Sequence, residues 1–165
     1  MMRMLAAALV VFQFSWSASV QAQCSHAISS IGIGGFQEAV ISVGDLETAE
    51  QIWRDIGGYE RLCSRKLDTS AVASWGVSEQ TQAEEIVLRK PGAAQGLVRL
   101  VRFDVAQPQR IRSGAMPWDV GGIFDLYVYT KDVDTPVAAL TARGWQEFTD
   151  PVEYTTGPFV VREAI

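Results

Sequence analysis

Two carboxylates raise the first chemical question. Glu38 and Asp125 stand 87 positions apart, at the same place in a stretch that occurs twice. The first copy is GGFQEAVISVGDLET, from Gly34 to Thr48; the second is GGIFDLYVYTKDVDT, from Gly121 to Thr135. Acidic side chains brought together by a duplicated fold have two uses. They can hold a divalent cation through oxygen, or they can accept an arginine in a forked ion pair. Strand alternation puts Ser42 on the face of Glu38, and Tyr127 and Tyr129 on the face of Asp125. Such a face can stack on a small apolar or aromatic ligand and orient it with phenol hydroxyls. Packing of the two tyrosines against the opposite copy is the alternative.

Other chemistries lack their residues. The chain has one histidine, His26, so an HExxH zinc site is impossible. Serine or cysteine hydrolysis needs a base, and His26 sits in an N-terminal tail. There is no GxSxG and no P-loop signature. GIGG, from Gly32 to Gly35, precedes a strand instead of following one, and Gln37 stands where a third glycine would be needed. The balance of 14 Lys and Arg against 19 Asp and Glu gives a net charge of −5 without a basic run. That excludes nucleic acid and anionic membrane as electrostatic partners. A hydrophobic content of 48% is enough for a packed core.

The elements that must position these residues follow from the repeat. Gly34–Gly35 aligns with Gly121–Gly122, Asp45 with Asp132, Thr48 with Thr135, Gly57 with Gly144 and Glu60 with Glu147. Each copy reads as strand, turn, helix, strand. In the first, Ala39, Ile41 and Val43 share one strand face, Asp45 caps a helix, and Ala49, Ile52, Trp53 and Ile56 form its apolar stripe. Gly57 and Gly58 end it. Tyr59 to Arg65 reads as a strand and Asp68 to Trp75 as a short helix. Glu85 to Arg89 and Leu97 to Phe103 read as strands around the turn KPGAAQG.

In the second copy, Leu126, Val128 and Thr130 form the helix-facing side of a strand. Asp132 or Asp134 caps a helix that carries Val137, Ala139 and Leu140. Gln146 to Phe148 and Phe159 to Arg162 read as its next two strands. Trp53 belongs to the core, and Trp75, Trp118 and Trp145 are hydrophobic anchors. By the first copy's template a hairpin and a fourth strand are absent before Ile165, so the sequence reads as a fragment, with a naturally short second module as the alternative.

The divisions are a signal peptide at 1–22, a tail at 23–35, a first module at 36–103, a linker at 104–120 and a second, incomplete module at 121–165. The leader has Arg3, an apolar Leu5 to Val20 too short and broken for a comfortable membrane span, and small Val20 and Ala22 before the cleavage point. Its removal takes Lys plus Arg from 14 to 13 and the net charge to about −6. The mature chain is then periplasmic or secreted, with no membrane attachment after cleavage. It keeps Cys24 and Cys63, as a disulfide or as two free thiols.

A duplicated strand–helix–three-strand module with DLE and DVD at its turns resembles the vicinal oxygen chelate superfamily, which holds glyoxalase I, bleomycin and fosfomycin resistance proteins and extradiol dioxygenases. RLVRFD, WDVGGIFDLYVYTKDVD and LTARGW are similar to exported bacterial members described as glyoxalase-like. The resemblance covers roughly Phe36 to Ile165. It implies an α+β fold in which paired βαβββ modules form an open, cupped mixed sheet. It also implies four metal-ligand positions in the cup, usually His, Glu or Gln, for Zn, Ni, Fe or Mn. Those positions map to Glu38, to Asp125, to Arg99 or Leu100, and to a fourth place beyond Ile165. Neither Arg99 nor Leu100 binds a cation, and Arg99 would claim the carboxylates itself. The expectation is therefore a small-molecule-binding cup lined by Glu38, Ser42, Arg99, Asp125, Tyr127 and Tyr129, without a cofactor. A metal-dependent lyase or ring-cleaving dioxygenase is the alternative. Pairing with a second copy, as a homodimer, is a further way to complete the sheet.

Overall fold

The structure, a computed structural model, describes Cys24, residues 36–105 and residues 126–164. The leader, His26, the glycine pairs at 34–35 and 121–122, Trp118 and Asp125 lie outside the described residues.

The first module runs β1 (Glu38–Ser42), α1 (Leu46–Asp55), β2 (Glu60–Lys66), α2 (Thr69–Ser74), β3 (Ala83–Arg89) and β4 (Leu97–Phe103). Its four strands form one sheet in the order β1-β4-β3-β2. β1 lies parallel to β4, and the other pairs are antiparallel, so the sheet is mixed. The parallel pair needs a crossover, which α1 begins. Asp45 starts α1 by accepting the Thr48 amide at 2.6 Å. At the other end Gly58 takes φ 64°, and a side chain at Gly57 would meet the Trp53 carbonyl oxygen at 2.6 Å.

Two-residue alternation divides the sheet into two faces. Ile86, Leu88, Val98 and Leu100 pack beneath α1 with Ile41, Val43, Leu46, Ala49, Trp53 and Tyr59. Trp53 meets the Tyr59 ring edge-on at 5.0 Å. Each fully buried aliphatic side chain here is worth about 1.5–3 kcal/mol. Glu50 of α1 is buried and is gripped by the Arg61 guanidinium, which ties the helix to β2. A bulge between Arg61 and Cys63 lets Arg61 reach α1 while Cys63 points to the opposite face. Without it, residues two apart would share a face.

The opposite face, which would line a cup, is also covered at its ends. Cys24 is bonded to Cys63 and buried with Val87 and Leu97. At the other end α2 seats Val72 on Ala83 and Val101, with Leu67, Val77 and Phe103 around it. Asp68 caps α2 through the Ala71 amide, and Gly76 follows it at φ 73°.

The second module contains α3 (Asp134–Thr141), β5 (Val152–Thr156) and β6 (Phe159–Glu163), the two strands forming an antiparallel hairpin. Three expectations need correction. Residues 126–130 are not a strand. A strand exists through its ladder, and this segment belongs to neither of the two sheets of the described residues. The second strand is Val152–Thr156 and not Gln146 to Phe148, because Gly157, at φ 57°, and Pro158 make the turn that sets the hairpin register. The 16-residue stretch 67–82 that carries α2 in the first module is thus replaced by a two-residue turn. Trp145, expected as an anchor, is more than half exposed.

Candidate functional site

The central feature of the cup face is a line of alternating charges across all four strands. Glu38 comes from β1, Arg99 from β4, Glu85 from β3 and Arg65 from β2. Arg99 Nε donates to Glu38 Oε1 at 2.6 Å and Nη2 donates to Glu38 Oε2 at 2.9 Å, a forked pair. Arg99 Nη1 donates to Glu85 Oε2, and Arg65 Nε donates to the other oxygen, Oε1, at 2.7 Å. Register explains the meeting. Arg99 pairs with Val87 and Val40, while Glu85 pairs with Arg65 and Val101. The line therefore runs diagonally, each charge within reach of the next.

The line is dry in its middle. Glu85 is 0% exposed and Arg99 is 9% exposed. Burial by itself would lower the pKa of the Arg99 guanidinium. The hydrogen bonds and charges of Glu38 and Glu85 outweigh it, and the pKa stands above the ordinary arginine value. The four formal charges cancel. Buried carboxylates in this state are already compensated.

The structure thus separates Arg99 from Leu100. Arg99 shares the face of Glu38, whereas Leu100 is buried under α1. Ser42 lies on the same face, exposed at the end of β1 beyond Val40, which is 46% exposed. Tyr127 and Tyr129 are not part of the charged line. They are 60% and 97% exposed and influence the Tyr154 phenol, whose pKa is raised chiefly by its hydrogen bond to Glu163. Asp125 lies outside the described residues. Glu85 and Arg65 were not anticipated. The signal was present in AEEIVLR, where adjacent Glu84 and Glu85 must point to opposite faces, so one of them joins Val87 on the cup side.

A divalent cation does not fit between Glu38 and Glu85 as they stand. Arg99 nitrogens occupy the space between the two carboxylates at hydrogen-bond distance, and a guanidinium and a metal ion compete for the same oxygen lone pairs. Among the described residues, no three His, Cys, Asp or Glu side chains form a metal-holding group. No helix among them is long and apolar enough to cross a membrane.

No family model matches the chain. No curated protein matches it either. Among solved structures, it is similar to the crystal structure of a glyoxalase family protein from Bacillus cereus, with 18% sequence identity and a TM-score of 0.61. The match covers 78% of this chain and 85% of that one. At this identity the likeness concerns the fold, and the chain has a glyoxalase-like α+β fold with a mixed four-stranded sheet.

Proposed function

We propose that this chain is an exported small-molecule-binding domain that works without a divalent metal at the position its fold offers for one. The observation that carries the reading is the Arg99 fork on Glu38, with its second arm on buried Glu85. An internal cation there neutralises the carboxylates and leaves neither metal nor anionic substrate a strong electrostatic handle. The open part of the face is the strip of β1 that presents Val40 and Ser42. Apolar contact beside one hydroxyl suits an uncharged, partly aromatic ligand. Tyr127 and Tyr129, exposed in the second module, would supply stacking surface if they close over it. The competing reading, a metal-dependent lyase or dioxygenase of the same fold, requires Arg99 to vacate two buried or half-buried carboxylates.

Elemental analysis of the purified chain, with melting in the presence and absence of chelator, separates the two. The binding reading expects no stoichiometric transition metal and an unchanged transition. One metal per chain, with melting lowered by chelator, would overturn it. A thermal-shift panel of uncharged aromatic compounds then tests the site, with Val40→Lys as control. This exposed substitution should leave the unliganded transition in place and abolish the ligand-induced shift.

A further inference from the structure

The two outer strands of the four-stranded sheet differ in how they meet solvent. β2 is guarded as edge strands ordinarily are, by a bulge between Arg61 and Cys63 and by Arg61, Arg65 and Lys66 along its length. β1 reads EAVIS, and its one charge, Glu38, is held in the Arg99 fork. Hydrogen bonds show which residues of β1 face outward. The Leu97 N–H donates to the Gln37 carbonyl at 3.0 Å, and the Val43 N–H donates to the Val101 carbonyl at 2.8 Å. Alternate residues of a parallel strand bond its neighbour, so Ala39 and Ile41 complete the set that joins β4. The N–H and C=O of Val40 therefore point away from β4, across the outer edge. Among the described residues the sheet ends there. The Val40 side chain, 46% exposed, stands on the cup face beside its register partner Arg99.

Resting on the cup-face reading, we propose that the ligand carries a peptide unit, an α-acylamino carbonyl, which pairs with Val40 as a residue of an added strand would. The ligand N–H donates to the Val40 carbonyl, and the Val40 N–H donates to the ligand carbonyl. In such a pair both side chains lie on one face, with Cα atoms about 5.5 Å apart. The ligand's side chain then lies on the cup face against Val40, where an aromatic or aliphatic group packs well. A charged group gains nothing there, because Arg99 is already spent on Glu38 and Glu85. Pairing one residue long is sufficient for a small molecule. A second copy fits this edge less well. β1 has five residues, about 17 Å of strand, and two such edges side by side bury far less than the ~1,000 Å² that a stable interface needs.

Amide hydrogen exchange on the full wild-type chain, followed by NMR, reads the open edge. The Val40 N–H should exchange at least about a hundredfold faster than those of Ala39 and Ile41, which donate to β4. N-acetylphenylalaninamide is uncharged and carries one aromatic peptide unit. Its titration should saturate and should slow Val40 exchange in proportion to occupancy. The analogue methylated on the phenylalanine nitrogen lacks the donor and should bind at least about tenfold more weakly. 3-Phenylpropanol, aromatic without a peptide unit, should be weakened to a similar degree. Two results would each overturn the proposal. One is Val40 protected as well as Ala39 in the unliganded protein, since the edge is then already paired. Protection that rises with protein concentration would assign that pairing to a second copy, and protection independent of it to the chain itself. The other is equal binding of all three compounds, which would keep the cup face as an aromatic site and remove the peptide unit. Failure of the cup-face reading gives a different pattern, in which neither these compounds nor the aromatic panel bind while Val40 still exchanges fast; that pattern overturns both.

Discussion

Replacing Arg99 by methionine tests the charged line most directly. The substitution keeps an unbranched stem and removes the guanidinium. It deletes three charge-assisted hydrogen bonds, two to Glu38 and one to Glu85. Glu85, 0% exposed, keeps a single ion-pair partner, Arg65. Hydrogen bonds to charged groups contribute about 1.5–3 kcal/mol each, but those sharing one guanidinium are not additive. Breaking a buried pair by removing one partner costs about 3–5 kcal/mol, because the other charge stays buried without compensation. With a urea m-value of ~1–3 kcal/mol/M, the midpoint should fall on the order of 2 M. Urea unfolding followed by far-UV circular dichroism, on oxidised protein at neutral pH, reads this shift. The exposed pair Arg102–Glu84 is the internal control, and Glu84→Gln should cost about 0–1 kcal/mol. An Arg99→Met loss of under about 1 kcal/mol, below the lower bound for a buried pair, would refute the reasoning.

Other outcomes follow from the same geometry. Gly57→Ala should destabilise by about 1–3 kcal/mol, since its Cβ would press on the Trp53 carbonyl, whereas Gly44→Ala meets nothing within 4 Å and should fold normally; thermal melts compare them. Leu100→Ala, in the fully buried α1 layer, should cost about 2–5 kcal/mol by urea titration. The Asp45 carboxyl is held below its ordinary pKa by the Thr48 amide, so its support for α1 is complete above the usual carboxylate range and is lost as pH falls through the lowered value. Asp68 and Asp132 are lowered as well, by hydrogen bonds led by Ser70 and Thr135 respectively. Acid titration of helicity should show this loss below about pH 4, and Asp45→Asn should flatten part of it.

Local chemistry made the first module legible. Asp45 and Asp68 are N-caps, Gly58 and Gly76 take positive φ after their helices, and KPGAAQG joins an antiparallel pair. The second module was harder because its pattern depends on partners. LYVYT alternates as β1 does, yet residues 126–130 form no strand among the described residues. Hairpin register depended on Gly157–Pro158, and the eye is drawn instead to Gln146–Phe148, which the repeat makes equivalent to the start of β2. The cup site was half legible for a related reason. Strand counting reaches Glu38 and leaves Arg99 and Leu100 as alternatives, whereas Glu85 and Arg65 meet Arg99 only through the diagonal offset of the sheet, which no single strand displays.

The charged line also explains why an arginine, and not a metal ion, is stable between Glu38 and Glu85. A divalent ion between carboxylates needs further ligands and access for exchange. Arg99 needs neither, because its planar fork matches Glu38 bidentately and still reaches Glu85. Once Glu85 is buried, however, the arrangement is locked: losing the cation strands a carboxylate, and losing the carboxylate strands a cation. Exchange of the guanidinium for a metal would therefore require at least two coordinated changes, a ligating side chain at 99 and relief of Arg65, whose Nε now donates to Glu85. An Arg99→His variant alone should consequently bind divalent cation weakly and fold less stably than wild type. Isothermal titration with Zn²⁺, paired with urea unfolding, checks both halves. Tight, stoichiometric binding by the single variant would mean that Arg99 is the one obstacle to a metal site.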